Sequence, residues 1–366
     1  MFSTTGGGHY SCTIALRDEL LNNPHTRVDT IDLFLGASAP HAAKIVKLYD
    51  PISVHAPLVW RILYHMFSTY AFYYTLDRVI NKFLCPPLME QITLHNSSLV
   101  VFLHPLLNLL YQSLSKFNVP TTTVVTDLTT FHRTWANPKA KMHYVATIQA
   151  KSCLKRYGIS EELIEVTGLP VGKQFTKVDS DIAIAKRRSL GLDPDKFTVT
   201  IMGGRYGAGA IEKIIKALIK SKLNVQMIVI CGANAALQKK ALEIKQNNPD
   251  YGIYVTGLTT RVHEFMQACD IVITKAGPSS LAEAISCGKP VVISSYLPGQ
   301  EEGNVEFIVK NHLGIYGGSP NKIVEALTAL IENKDALNSL CESVHKTTIN
   351  GTKTIADSIA KIASQN

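Results

Sequence analysis

In the second half of the chain, short unbroken apolar runs alternate with longer stretches whose apolar residues recur every three or four positions. The runs at 198–202, 226–230, 253–255, 271–273 and 290–293 are each followed by Gly or Pro and then by a helical pattern. A strand covered on both faces reads as a continuous apolar run, and strands joined through helices run parallel, so this pattern predicts one doubly wound sheet. The first half is looser. Strand-like runs at 28–33, 99–103, 122–126 and 143–147 predict a second parallel sheet, and a helix is expected from about Tyr10 to Leu21. Between the halves, Gly168-Leu169-Pro170-Val171-Gly172 and the polar stretch to Asp181 read as a hinge. The predicted architecture is α/β, with two Rossmann-like domains whose parallel sheets face an interdomain cleft. The expected division is 1–170, 171–350, and a C-terminal helix, 351–366, that packs back on the first domain.

Composition agrees with two packed cores. The chain has 366 residues, 46% hydrophobic and 18% charged, which excludes a disordered or fibrous protein. Net charge is +8, an excess that permits attraction to an anionic membrane surface. It is most local between Leu128 and Ser160, where Arg133, Lys139, Lys141, Lys151, Lys155 and Arg156 meet no acidic residue. No nucleic-acid module or interleaved basic-aromatic motif accompanies it, so nucleic acid is not an expected partner. Seven dispersed cysteines without a Cys-x-x-Cys pair fit reduced thiols in a reducing compartment. The chain opens almost directly into a glycine loop, so the first strand is expected to be very short, or the true beginning, with any targeting peptide, lies upstream.

Four loops carry candidate chemistry. Gly6-Gly7-Gly8-His9 precedes a helix; its glycines let backbone approach a ligand, and His9, with an ordinary pKa near ~6.5, accepts a proton at neutral pH. A helix-capping histidine is the plainer reading. Met202-Gly203-Gly204-Arg205-Tyr206-Gly207-Ala208-Gly209 has neither the dinucleotide spacing nor a Walker lysine, which leaves a looser phosphate cradle. Thr274-Lys275-Ala276-Gly277-Pro278-Ser279-Ser280-Leu281-Ala282-Glu283 presents a proline-started helix N-terminus and two serines to an anion, with Glu283 placed to accept from a ribose. Leu297 to Asn304 packs Gln300 and Glu301 into a polar turn that suits neighbouring sugar hydroxyls. Asp193-Pro194-Asp195, an Asp-x-Asp of the kind that holds a metal in some transferases, precedes a strand and reads as a turn; no metal is expected.

Five segments in order resemble a known family. Gly6 to His9, Val125-Thr126-Asp127-Leu128 with Trp135, Val166 to Pro170, Ile273 to Pro278 and Pro298 to Asn304 are similar to those of the monogalactosyldiacylglycerol synthases and the related processive diacylglycerol glucosyltransferases of glycosyltransferase family 28. The resemblance implies a GT-B fold, with a lipid-acceptor, membrane-facing domain followed by a UDP-sugar-binding domain. It implies inverting transfer of galactose or glucose from a UDP-sugar to diacylglycerol, with no cofactor. Carried over, Gly203, Gly204 and Gly277 lie near the diphosphate, Ser279 and Ser280 at the phosphates, and Gly257 and Leu258 near uracil. Glu283 then holds the ribose, Gln300 and Glu301 the hexose, and His9 is the base. Gly7, Gly8, Trp60, Tyr64, Phe67 and Trp135 fall on the acceptor and membrane side. Asp127 is a rival base or an orienting partner for His9. Tyr10 departs from the family, standing where plant members tend to have Arg.

Eight of the 28 aromatic residues fall between Leu58 and Phe83, beside Arg61, Arg78 and Lys82. Such a segment suits a bilayer interface, and a buried helical core is the alternative. A peripheral membrane protein of a plastid envelope or of a bacterial-type cytoplasmic membrane face is expected. A UDP-sugar epimerase or hydrolase of the same fold would not need the greasy segment. A catalytically degenerate membrane-docking subunit would not need His9 and Glu283.

Overall fold

The computed structural model describes residues 7–34, 57–66, 69–115 and 117–365. Phe67 and Gly6, both singled out above, lie outside the described residues, as does the segment preceding the glycine loop.

The chain divides into two compact units. Unit 1 comprises Met1–Gly172, Leu297–Gly303 and Ile349–Asn366; unit 2 comprises Lys173–Tyr296 and Asn304–Thr348. Each carries a parallel sheet. Unit 1 has β1 (Val100–Phe102), β2 (Thr121–Val124), β3 (His143–Val145) and β4 (Ile164–Val166), in spatial order 1-2-3-4. Unit 2 has β5 (Thr198–Met202), β6 (Gln226–Ile230), β7 (Ile253–Thr256), β8 (Ile271–Lys275), β9 (Val291–Ser295) and β10 (Gly314–Tyr316), in order 10-9-8-5-6-7.

That second order reverses direction between β5 and β8. In open α/β sheets ligands bind beyond the carboxyl ends of the strands at such a switch point, because the loops there diverge to opposite faces. Helices flank the sheet because its strands are apolar on both faces: every residue of β5 and β6 is buried. Helix Ile211–Ser221 presents Ile211, Ile214, Ile215 and Leu218 to the sheet, a spacing of three and four that keeps one helical stripe inward.

At the amino ends of these strands, Arg187 is clamped. Its guanidinium donates to Ala268 O (2.7 Å), Pro194 O (3.0 Å) and Asp270 Oδ1 (2.8 Å), while the second Asp270 oxygen accepts from Thr198 N–H (2.8 Å). The Asp193 carboxylate accepts from Asp195 N–H (2.9 Å), so this triplet closes its own turn at the start of β5, on the edge opposite the switch-point loops. A second Asp-x-Asp, Asp179-Ser180-Asp181, stands exposed at the start of helix Ser180–Ser189.

One expectation needed correction. The run at 28–33 forms no strand; only Asp32 makes a bridge, and its carboxylate accepts from Phe34 N–H (2.9 Å), a local turn that competes with the ladder. The three-residue strands β4 and β10 were not anticipated, since each has polar or glycine positions that break an apolar run. The aromatic segment forms two helices, Pro57–Met66 and Tyr70–His95, and the rings do not all face one way. Trp60, Tyr64 and Tyr73 are buried, whereas Val59, Ile62, Met66, Tyr74 and Phe83 are exposed.

The last helix, Thr352–Ala363, belongs to unit 1. It packs Ile355, Ala356 and Ile359 against Cys12, Leu16 and Leu20 of helix Gly8–Leu20, and Tyr144 of β3 donates its hydroxyl to Ser358 (2.9 Å). No helix among the described residues is long and apolar enough to cross a membrane.

Candidate active site

In unit 1 the helix Gly8–Leu20 starts from Gly7, whose φ of 81° lies in the left-handed region that favours glycine. This turn sets His9 on the first turn of the helix. Its Nδ1 lies 2.6 Å from Thr126 Oγ1, just beyond the end of β2, and its ring meets the edge of His104 at 4.9 Å between centroids. Burial pushes the His9 imidazole down to about 4, partly offset by a backbone hydrogen bond to Leu103. His9 is therefore neutral at pH 7, the form a base requires. His104 Nδ1 accepts from Leu106 N–H (3.3 Å), and burial holds His104 well below its ordinary value, with His9 and His132 adding to the effect. Burial, with a contribution from His9, takes His132 to about 3.

Asp127 is buried three residues beyond the end of β2, after Val125 and Thr126. One carboxylate oxygen accepts from Trp135 Nε1–H at 2.6 Å; the other lies 3.4 Å from Gln300 Nε2, a long hydrogen bond. The described side-chain hydrogen-bond partner of the His9 imidazole is Thr126. Trp135 is fully buried among Phe131, Ala136, Val145 and Leu154. Its indole N–H holds Asp127, and its ring lies 6.1 Å from that of His9.

The polar turn carrying Gln300 is part of unit 1. Gly299 has φ 86°, and a Cβ there would sit 3.5 Å from Arg61 and Tyr64. Gly303 leaves still less room, since a Cβ would fall 2.6 Å from Thr129 Oγ1. Gln300 Oε1 is buried with no hydrogen-bond partner among the described residues, and a buried acceptor left unmade is costly. Glu301 is buried, and its carboxylate accepts from Leu297 N–H (2.9 Å), closing the turn. Tyr64 packs its ring on His132 (5.1 Å), and Trp60 lies 6.1 Å from Tyr64, so both belong to the wall beside this turn.

In unit 2 the switch point between β5 and β8 holds the second group of candidates. Gly203 to Gly209 leave β5 in a tight loop: a Cβ on Gly203 would meet Ala208 O at 1.9 Å, and Ala208 N–H donates to Gly203 O (2.9 Å). Gly277, Pro278, Ser279 and Ser280 leave β8, and Pro278 begins helix Pro278–Ser286 with no side-chain cap. Such a helix N-terminus favours an anion. Lys275, not singled out as a site residue from the sequence, lies beside this loop, its Cε 3.7 Å from where a Gly204 Cβ would be. Glu283 is buried further along the same helix. Gly257 and Leu258 follow β7, two strands from β5; a Cβ on Gly257 would meet Gln238 Oε1 at 2.6 Å, and Leu258 is exposed.

The comparisons with known proteins follow this division. A model of the monogalactosyldiacylglycerol synthase family matches residues 9–171, and one of the glycosyl transferases group 1 matches 183–352. A probable monogalactosyldiacylglycerol synthase 2, chloroplastic, from Oryza sativa subsp. japonica is 31% identical over 340 residues, covering 88% of this chain and 71% of that protein. The chain belongs to the monogalactosyldiacylglycerol synthase family.

Another relative, monogalactosyldiacylglycerol synthase 1, chloroplastic, from Arabidopsis thaliana, is 30% identical over 88% of this chain. The chain spans 62% of the length of that protein. Among solved structures, MurG from Acinetobacter baumannii aligns with a TM-score of 0.55 at 16% identity, covering 99% of this chain and 98% of that one. The UDP-GlcNAc 2-epimerase from Neisseria meningitidis, bound to UDP-GlcNAc, aligns at 0.58 and 13% identity, covering 100% and 98%. At these identities the likeness shows the fold alone, and the fold of this family member is GT-B.

Proposed function

We propose that this chain transfers galactose from UDP-galactose to diacylglycerol at a membrane surface. The observation that carries the reading is the assembly in unit 1 of His9, a neutral imidazole at the glycine turn, beside buried Asp127 and the unpartnered Gln300 oxygen, in a chain of the monogalactosyldiacylglycerol synthase family. In the proposed reaction His9 takes the proton of the diacylglycerol hydroxyl. The hydroxyl oxygen attacks the anomeric carbon, and the bond to the diphosphate breaks with its electron pair leaving on UDP. A single displacement with one base inverts the anomeric centre.

Unit 2 is proposed to hold the UDP. Gly203, Gly204 and the helix N-terminus at Gly277, Ser279 and Ser280 offer backbone donors to the diphosphate, and Lys275 adds positive charge. Glu283 is placed for the ribose, and Gly257 with Leu258 for the uracil. Gln300 and Glu301 are assigned to the hexose.

The helix dipole and backbone amides are proposed to serve the leaving group without a metal. We further propose a plastid-envelope location, a reading supported by relatives named chloroplastic, with peripheral binding through the exposed face of Val59, Ile62 and Met66.

The test is incubation of the protein with diacylglycerol vesicles and UDP-galactose or UDP-glucose, with and without EDTA. Galactolipid formed in both conditions is expected. Glucolipid as the main product would change the assigned sugar, and turnover lost in EDTA and restored by magnesium would contradict the metal-free assignment.

A further inference from the structure

Thr126 lies two residues beyond the end of β2, and its side chain, 3% exposed, reaches the first turn of a helix 117 residues away. A threonine hydroxyl has one donor and two acceptor sites and rotates to suit its partner. A neutral imidazole carries one N–H, and the nitrogen that carries it is set by what the other faces. His9 Nδ1 faces Thr126 Oγ1 at 2.6 Å, and a backbone hydrogen bond to Leu103 also engages the ring. Nε2 accepts a proton only in the tautomer with its hydrogen on Nδ1. That hydrogen then needs an acceptor.

We infer that Thr126 is the positioning residue for His9: its hydroxyl oxygen accepts the Nδ1–H, selects the tautomer with an open Nε2, and stabilises the imidazolium formed when Nε2 takes the acceptor proton. The inference rests on the assignment of His9 as base above and extends it. Chemically, the diacylglycerol O–H bond breaks, its proton forms the Nε2–H bond, and the Nδ1–H bond stays intact throughout, donating to Thr126 Oγ1. A hydroxyl in this position leaves the pair uncharged, unlike a carboxylate, so the imidazole stays neutral in its apolar surroundings until the reaction charges it.

The neighbours fit the same assignment. His104, from the segment after β1, turns its ring edge on His9 and is itself fixed by the Leu106 N–H on its Nδ1. His132, from the loop after β2, pairs its Nδ1 with the Thr134 hydroxyl, a second histidine held by a threonine. With His104 and His132 both neutral, and Asp127 engaged by Trp135 and Gln300, the described partners of the His9 ring nitrogens are Thr126 Oγ1 and the Leu103 backbone.

Three variants and one spectrum test it. Thr126→Val keeps the shape and removes the hydroxyl, and should lower kcat by roughly 10- to 100-fold with KM for the UDP-sugar unchanged, since only the transition state loses an interaction. Its acid limb should move to lower pH, because the imidazolium has lost its hydrogen-bond acceptor. Thr126→Ser should restore most of the rate and the limb. His9→Ala is run beside them. Thr126→Val with full turnover and an unmoved pH profile, against an inactive His9→Ala, would overturn the inference alone; an active His9→Ala would overturn the base assignment beneath it. Should Thr126→Val fail to fold, nitrogen-15 NMR of the unaltered protein decides: the His9 proton on Nδ1 supports the inference, and the proton on Nε2 contradicts it.

Discussion

Glu283 shows how much a single side chain is asked to do. It is 8% exposed on a helix whose first turn faces the β5–β8 switch point, and its assigned task is to receive two ribose hydroxyls. Glu283→Ala is expected to weaken UDP binding by about tenfold, the equivalent of roughly 1.4 kcal/mol and in the range of a hydrogen bond to a charged group. Calorimetric titration with UDP alone measures it, and an unchanged affinity would make Glu283 a structural residue. The buried histidines predict a second behaviour. His132 and His143 are pushed by burial to about 3 and about 4, the latter partly restored by a backbone hydrogen bond to Leu163. Unfolded imidazoles titrate near ~6.5, so between that value and the folded ones the unfolded chain binds more protons. Stability is therefore full above about pH 6.5 and falls as pH drops toward 4. Urea midpoints measured at pH 7 and pH 5 should differ in that direction; equal midpoints would show that these rings are charged in the folded protein.

Among the elements, the two short helices that bracket unit 1 act together. Helix Gly8–Leu20 carries His9, and helix Thr352–Ala363 covers its inner face through Ile355, which is fully buried against Cys12, Leu16 and Leu20. Ile355→Ala should cost about 2 to 4 kcal/mol of stability by leaving a cavity in this contact. Chemical denaturation measures the loss, and a change below about 0.5 kcal/mol, the range of an ordinary surface substitution, would show that the helix is not a support of the His9 turn. Legibility also differed by element. The strands of unit 2 could be read because β5, β6, β8 and β9 are nearly continuous apolar runs between glycines and prolines. β4 and β10 could not, being three residues long with a partly exposed end, and Asp32 turned an apparent strand into an Asx turn. The glycine turn, Asp127 and Gln300 were legible as motifs. Thr126 as the partner of His9, and His104 and His132 as its surroundings, were not, because those contacts join distant stretches of chain that leave no periodic trace. Lys275 was quoted within its loop yet gained meaning only from the fold of Gly204 against it.

For the whole molecule, family membership and the two Rossmann-like sheets agree with the order of motifs along the chain. GT-B proteins include both transferases and epimerases, so the fold does not choose between them. The choice made here rests on one base, His9, and on a lipid hydroxyl as the attacking group. The most direct test is proton NMR of the product made from UDP-α-galactose and diacylglycerol vesicles by the purified protein. One β-linked galactosyl diacylglycerol per UDP released, with no sugar released when diacylglycerol is left out, is the predicted result. An α-linked product, free galactose in the absence of acceptor, or a sugar epimerised while still on UDP would contradict it.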